Sequence, residues 1–595
     1  MEAIRMTVVE TAQRRRAASL EDLEAKGRLV VALDGHTVCL IAAGGEIHAV
    51  DNRCPHMGFP LHRGTVNDGI LTCHWHHARF DLCSGGTFDQ WADELRRFPV
   101  EVDEGEVYVD LTPRRDPVEH QRGRLQVGLE RDIALVVAKA AIVLTEADPS
   151  GADAFRAGLD FGVRRRGGGW FRGLTTLSCL MNLVPRLDAE ERAGALYHGL
   201  ADVASDSAGM EPRFPLQPLP GGELEPARLA RWFRGFVEVR DAEGAERALV
   251  SAVRAGVSEA ELADMLFSAA TDHRYLDGGH TLDFVNKALE ALDTAGWERA
   301  EAVLASLPAQ LAFAERMEEA NAWRNPVDLV ALLEDAFERL PDALAAPRGS
   351  WDGRGRLVET VLGAEPGEIL EALLGALREG ASEVELASAV SFAAATRIAR
   401  FPTSNEFGDW DTALHTFTFA NAVEQGLRRS ASPELARGVL DAAMSVYLDR
   451  FLNVPATRLP SAQAGDPGAL LAELRELLDR QQQVDEAGQV AASYLAAGGD
   501  PDRLVAGLGA CLLREDRNFH TIQCVAAGVR QHVLLRGTDE AGLPLIAVAR
   551  YLAAHASTAR SQRQTYEIAR RLHRGERIYE DEEEALSPPA VAGAP

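Results

Sequence analysis

The reading of this chain turns on Cys54-Pro55-His56, followed by sixteen intervening residues and then Cys73-His74-Trp75-His76. As a spacing this is C-x-H-x16-C-x2-H. The motif lies among short segments that read as β strands: Arg28 to Asp34, Thr37 to Ala42, Glu46 to Val50 and Glu106 to Asp110. Each is β-branched or alternating, and turn signals such as Asp34-Gly35, Gly44-Gly45 and Glu104-Gly105 bound them. Beyond this region the texture changes. Residues 113–124 are polar and charged and read as a linker. From 125 to 577, Ala, Leu, Glu and Arg recur with helical period, as in Glu259 to Ala270 and Leu370 to Arg378. Residues 578–595 carry an acidic run and then Pro, Ala and Gly, which reads as a disordered tail. The expected architecture is multidomain: a small all-β domain over 1–112, then a large all-α domain with internal repeats.

Two thiolates and two imidazoles can hold either zinc or a [2Fe–2S] cluster. Zinc fingers usually place Cys pairs and His pairs apart along the chain, whereas here each loop supplies one of each. Mixed pairing suits a cluster whose two irons differ, one held by both Cys and the other by both His. Residues 28 to 111 resemble a Rieske ferredoxin domain, similar to the small ferredoxin components of aromatic-ring dioxygenases. The resemblance implies Cys54, His56, Cys73 and His76 as cluster ligands, with Trp75 and Gly58 also matching. It implies a fold of three stacked antiparallel sheets with the cluster at two loop tips. High-potential members carry an extra Cys in each loop and a Ser and Tyr after the second His; here Gly58 or Met57, Trp75, Ala78 and Phe80 stand at those places. Fewer donors disfavour the reduced, more negative state, so a low-potential centre is expected. Among the neighbouring residues, His74 and His77 read as loop or outer-sphere groups, His62 as surface and Cys83 as a spare thiol. Cys39, Cys179, Cys511 and Cys524 read as core.

The helical region contains a repeat. Leu249 to Leu262 aligns without gaps to Leu373 to Leu386, and a weaker copy begins at Gly498. Downstream of each copy comes a His-Thr pair heading a helical block: His280, His415 and His520, with His198 as a possible fourth member. Equivalent residues of a pseudo-symmetric bundle converge near its axis. Asp283 stands three residues after His280 and Asp202 four after His198 on the same helix faces, and His273 in the preceding helix adds a further nitrogen, so a non-haem iron or manganese site is one expectation. Two others remain: His-Thr as a helix-start feature, and direct substrate contact. Arg164 to Trp170 could meet an anionic substrate or redox partner, or could be a loop. The D/E-x2-H-x4-5-H pattern of Rieske oxygenases is missing, as are a strand-linked G-x-G-x-x-G and a P-loop. An external electron donor such as a ferredoxin reductase is therefore expected, together with a small-molecule substrate.

The formal net charge of -28, from 62 Lys+Arg against 90 Asp+Glu, argues against nucleic-acid or anionic-membrane partners. Seven cysteines, sparse and odd in number, fit a reducing compartment, and with no signal peptide or membrane span evident a cytoplasmic protein is expected. The functional expectation is an oxidoreductase of mono-oxygenase type, in which the Rieske centre feeds a metal or substrate site in the helical domain. The alternative is a non-catalytic electron-transfer or redox-sensing protein with a helical docking scaffold.

Overall fold

The computed structural model describes residues 14–112, 116–220, 224–430, 432–576 and 578. Among them, β strands are confined to the region before Leu111 and helices dominate everything from Pro117 onward. The chain divides into two compact units. One contains the described residues up to Ala147 together with those from Gln564; the other runs from Asp148 to Arg563.

In the first unit the strands are β1 (Arg14–Ser19), β2 (Arg28–Leu33), β3 (His36–Ala43), β4 (Glu46–Asp51), β5 (Thr65–Asn67), β6 (Ile70–Thr72), β7 (Arg79–Asp81), β8 (Arg97–Phe98), β9 (Val100–Asp103) and β10 (Glu106–Asp110). They form three antiparallel sheets in the orders β1-β10-β9, β2-β3-β4-β8 and β5-β6-β7. The alternation read from the sequence is realised in β10, where Val107 and Val109 are buried and their neighbours are not. Two apolar cores result. Leu23, Val38, Leu40, Ala49, Phe98, Val107 and Val109 fill one, and Cys39, Ile41, Val50, Leu71, Phe80 and Leu82 fill the other. β1 was not foreseen, because Arg14-Arg15-Arg16 carries no apolar alternation. It pairs antiparallel with β10, from Arg14 opposite Asp110 to Ser19 opposite Glu106, and its arginines form exposed ion pairs with Asp103, Asp34 and Glu106.

Of the linker expected over 113–124, residues 113–115 lie outside the described residues and residues 117–124 are helical. Asp116 caps the helix Pro117–Arg131, its side chain accepting from Val118 N, and Pro117 occupies the first turn. A second helix, Ala134–Ala147, follows, and both belong to the β unit. The polar surface read as a linker is one face of an amphipathic helix whose Leu125 and Leu129 are buried. Apart from Ile578, the expected acidic tail lies outside the described residues.

In the second unit the sequence repeat is a structural one. Helices Ala242–Arg254 and Glu259–Thr271 form the first copy, and Pro366–Arg378 and Glu383–Ala399 the second. Both copies carry the same capping box at the second helix, Ser258 with Glu261 and Ser382 with Glu385. The weaker copy is Val484–Ala496 with Pro501–Leu513. After each copy comes a histidine-bearing helix: His280–Ala295, Phe407–Arg429 and Phe519–Leu534. Among the described residues no helix is long and apolar enough to cross a membrane, and all seven cysteines are free thiols.

Candidate metal centres

In the β unit the loop after β4 carries Cys54 and His56, and the loop between β6 and β7 carries Cys73 and His76. Each loop is closed by its own backbone: Cys54 N donates to Phe59 O (2.8 Å), Gly58 N to Cys54 O (2.7 Å) and Cys73 N to Ala78 O (2.8 Å). Gly58 has a φ of +81°, and a Cβ there would stand 3.1 Å from Leu572 and 3.2 Å from Ile578, so the first loop needs glycine for both reasons. The two thiols hydrogen-bond to each other, which draws Cys73 down to about 6 and pushes Cys54 well above the ordinary thiol range. Backbone N–H groups of His56 and Met57 point at the Cys54 sulfur, and those of Trp75 and His76 at the Cys73 sulfur. Four amide donors aimed at two sulfurs stabilise thiolates.

The imidazoles of His56 and His76 meet edge to face, with centroids 4.8 Å apart. Burial, then His76 and Lys139, lower His56 to about 4, so it is neutral at pH 7. Its buried Nδ1 has no hydrogen-bond partner. A buried, neutral imidazole nitrogen left unpaired beside a thiol pair is what a metal ligand requires. The donor set and this orphaned nitrogen fit a [2Fe–2S] cluster held by Cys54, His56, Cys73 and His76.

Sequence reasoning missed how this loop is held from behind. Lys139 donates to Pro55 O (2.5 Å) and lies 3.3 Å from Asp93 Oδ2. Arg124 Nε donates to Asp93 Oδ1 at 2.8 Å. Burial raises Asp93, but Lys139 and Arg124 outweigh it and hold the carboxyl below its usual range. Trp91 packs edge-on against His56 (4.7 Å) and Trp75 lies over His76 (4.3 Å), both indoles being partly exposed. Cys83, read as a spare thiol, lies with Glu46 and His48 in a loose trio of ligand atoms within 4.8 Å.

The helical unit brings together three of the four singled-out histidines. One ligand nitrogen from each of His280, His415 and His520 lies within 4.8 Å of the others, and His415 Nε2 is 3.1 Å from His520 Nε2. Nitrogens on a tetrahedral ion at a typical 2.0–2.1 Å would stand about 3.3 Å apart. Burial and the neighbouring imidazoles push His280 down to about 3 and His415 to about 4, so both are neutral. His280 Nδ1 is buried without a hydrogen-bond partner. His280 opens its helix after a tight left-handed run, Asp277 (φ 49°), Gly278 (60°) and Gly279 (94°). A Cβ at Gly279 would come within 2.8 Å of Tyr275 and 3.0 Å of Phe419. His520 is the second residue of a helix capped by Asn518, and His415 lies two turns inside its helix rather than at the start. The helix-start reading therefore describes two of the three.

His520 is oriented from outside: its Nδ1 faces Asp411 Oδ2 at 3.4 Å. Tyr551 donates to the other carboxylate oxygen at 2.5 Å, and His555 Nε2 lies 3.7 Å from it. Asp411 was not singled out, since it precedes its histidine by four residues rather than following it. The remaining candidates lie elsewhere. His198 is buried beside Asp516 and Arg563, and its imidazole bonds the backbone of Leu513. His273 is clamped between Glu238 (2.7 Å) and Glu318 (2.6 Å). Asp202 faces Thr176 and Asp206, and Asp283 Oδ2 accepts from Gln523 (2.6 Å). In the Arg164 to Trp170 run, Arg166 is buried beside Asp206 (3.3 Å) and Trp170 is fully buried, donating to Thr175 (3.0 Å); both serve the core.

A β fold of three sheets with Cys-His pairs at two loop tips defines a Rieske domain, and the model of the Rieske [2Fe-2S] domain family matches residues 14–99. This chain therefore carries an N-terminal Rieske [2Fe–2S] domain. That stretch is 36% identical over 91 residues to human apoptosis-inducing factor 3, spanning 15% of this chain and 15% of the relative's length. It is 29% identical over 97 residues to the ferredoxin component of the naphthalene 1,2-dioxygenase system of Pseudomonas putida, covering 16% of this chain and 93% of that protein. Among solved structures, the ferredoxin of carbazole 1,9a-dioxygenase from Nocardioides aromaticivorans IC177 matches at 26% identity, over 16% of this chain and 95% of that one, with a TM-score of 0.16.

Proposed function

We propose that this protein is an oxidoreductase with two metal centres: a low-potential [2Fe–2S] cluster on Cys54, His56, Cys73 and His76, and a non-haem ion on His280, His415 and His520. The cluster carries one electron at a time from an external donor such as a ferredoxin reductase. An ion held by His280, His415 and His520 would supply O2 activation for the oxidation of a small organic molecule, in a mono-oxygenase type of reaction. The observation that carries this reading is the convergence of three imidazoles, from helices up to 240 residues apart in sequence, with nitrogens within 4.8 Å. Three imidazoles accept zinc as readily as iron or manganese. Zinc has no accessible redox change, so a chain that also carries an electron-transfer domain favours iron or manganese.

The protein's own groups supply the rest. His280 and His415 stay neutral and ready to bind metal at pH 7. Asp411 holds the Nδ1 proton of His520 and so fixes Nε2 as its ligand atom. Around the cluster, the four amide N–H groups steady the thiolates, and Lys139 fixes the Pro55 carbonyl.

The test is metal content. Replacing Cys54 and Cys73 by Ser should remove the cluster while one iron or manganese per chain remains. His280→Ala with His415→Ala should remove that ion and leave the cluster's visible and electron-paramagnetic signatures intact. A chain free of metal after the first change would refute the second centre and leave an electron-transfer or redox-sensing protein with a helical scaffold.

A further inference from the structure

A mono-oxygenase reaction consumes protons as well as electrons. Written in full it is RH + O2 + 2e⁻ + 2H⁺ → ROH + H2O: the O–O bond and one C–H bond break, and a C–O bond and new O–H bonds form. The cluster accounts for the electrons and O2 is the oxidant. The protons must reach a centre whose histidines are largely buried.

Below His280, on the same face of its helix, lie Asp283, Lys287 and Glu290, three, seven and ten residues on. All three are buried, and so is Asn286 beside them. An amphipathic helix places apolar residues on such a stripe. Here it is polar for three turns. Asp283 is bound across to the His520 helix through Gln523, three residues below His520 (2.6 Å). Glu290 accepts from Lys287 (2.9 Å), Asn286 (3.0 Å) and Asn182 (2.7 Å). At its outer end Glu290 lies 3.7 Å from Arg530, whose side chain is 42% exposed, so the stripe reaches solvent there. A parallel set stands on the His415 helix, where Gln531 bonds Asn421 (3.0 Å) and Glu424 (2.8 Å).

A purely structural network would saturate itself. This one leaves three buried acceptors with no protein donor at the level just below the histidines: Asp283 Oδ1, Gln523 Oε1 and Asn286 Oδ1. Acceptors in such a place are where internal water binds, and water beside a carboxyl group is a proton conductor.

Resting on the reading of His280, His415 and His520 as a metal centre, we propose that this stripe is its proton path, with Glu290 at the entrance and Asp283 as the last protein group before the centre. The groups facing Asp283 are Lys287 and Glu290 on its own helix, Cys179 on the helix Arg172–Leu183, and Gln523 on the His520 helix. Burial raises the Asp283 carboxyl to about 6 against the pull of Lys287, a range in which it can both take and give a proton near neutral pH.

The experiment uses the full-length protein with both metals loaded. It is reduced with dithionite, freed of excess reductant, mixed rapidly with O2, and followed by the cluster's visible absorption in H2O and in D2O. Without an organic substrate the reaction read is O2 + 2e⁻ + 2H⁺ → H2O2, which draws on the same proton supply. The variant with His280→Ala and His415→Ala gives the rate of direct cluster oxidation, which is subtracted. Wild type should show a solvent isotope effect above twofold. Asp283→Asn, which keeps the shape and the Gln523 bond, should slow reoxidation at least tenfold with both metal contents unchanged, and Asp283→Glu should recover most of the rate. An isotope effect near one in wild type overturns the path without recourse to any variant. So does an Asp283→Asn rate within twofold of wild type, or loss of the second metal in that variant, which would make Asp283 a ligand or support instead. Absence of a second metal from wild type is read by metal analysis alone and refutes the centre itself.

Discussion

The two candidate centres bring their donors together by opposite routes. Cys54, His56, Cys73 and His76 fall within 23 consecutive residues, on two loops that a small β fold holds side by side. His280, His415 and His520 are spread over 241 residues and meet only because three helices, each following a copy of the same helical pair, pack together. The first site is local: backbone amides and one positive-φ glycine set its geometry. The second is collective: no residue near His280 in sequence contributes another ligand. A local site can be lost by one change in a loop. A collective one depends on the burial and support of each histidine separately, and the sharpest tests compare histidines that do and do not join it.

His198 is the histidine left out. It is buried and its basicity is lowered to about 4, burial being the main cause. The unfolded chain, with an ordinary histidine near 6.5, binds that proton more readily. Stability should therefore be unaffected by this group above about pH 6.5 and fall as pH drops from there to about 4, by up to about 3 kcal/mol. His198→Gln should remove that share of the acid sensitivity of urea unfolding without changing metal content. An unchanged slope between pH 7 and 4.5 would show that His198 is not kept neutral by the fold. A loss of bound metal would show that four histidines, not three, serve the site.

Within the collective site, Asp411 provides the next test. It touches His520 alone among the three, so Asp411→Asn should leave the ligand count intact while releasing the tautomer. The metal dissociation constant should rise about 10–100-fold, the usual effect of removing such a partner, and the cluster's spectrum should stay as it was. An unchanged dissociation constant would mean that packing rather than the carboxylate orients His520.

The contrast also accounts for what the sequence made legible. The Cys-His spacings exposed the cluster site because its ligands lie inside one pattern, and the strands around it alternate visibly. Three of the helical histidines were found because a His-Thr pair follows each copy of the repeat, although the gapless alignment stops short of them: His280 lies 18 residues beyond Leu262 and His415 lies 29 beyond Leu386. His198 resembled them because a His heading an apolar helix has the same local pattern whether it faces an axis or a core. Asp411, Lys139 and Tyr551 act through contacts 84 to 140 residues away in sequence. Nothing local marks them. The misplaced linker has a similar cause: the helix Pro117–Arg131 is polar enough to pass for a loop until its two buried leucines are seen against the helix beside it.

At the cluster, the absence of side-chain donors can be reversed. Ala78 and Phe80 are both fully buried, and neither side chain carries a hydroxyl. The potential should lie near the bottom of the roughly −150 to +300 mV Rieske range. Ala78→Ser with Phe80→Tyr should raise it. A hydrogen bond to a charged group is worth about 1.5 kcal/mol, and for one electron 59 mV corresponds to a tenfold change, so the shift should be on the order of 60 mV per effective donor. A wild-type potential above about +100 mV, or no rise in the double variant, would break the account of this site as under-supplied with donors. The helical centre's metal content is the internal control and should not move.

The smallest effect bears on the collective site's foundations. Ser258 and Ser382 occupy the same place in the two strong copies of the repeat, each accepting from the backbone three residues on while a glutamate returns the bond. If the copies are energetically as well as geometrically equivalent, Ser258→Ala and Ser382→Ala should each cost about 1 kcal/mol. The sites share no partner, so the double variant should cost their sum within a few tenths of a kcal/mol. The third copy begins its second helix with Asp500 and lacks the reciprocal glutamate, its cap bonding Asp502 N alone. Asp500→Ala should therefore cost no more than either serine. A ligand set fixed by repeat packing tolerates these losses without releasing metal, because each helix keeps its buried face. If removing one cap instead weakened metal binding tenfold, the three histidines would depend on the entry of each helix rather than on how the helices pack.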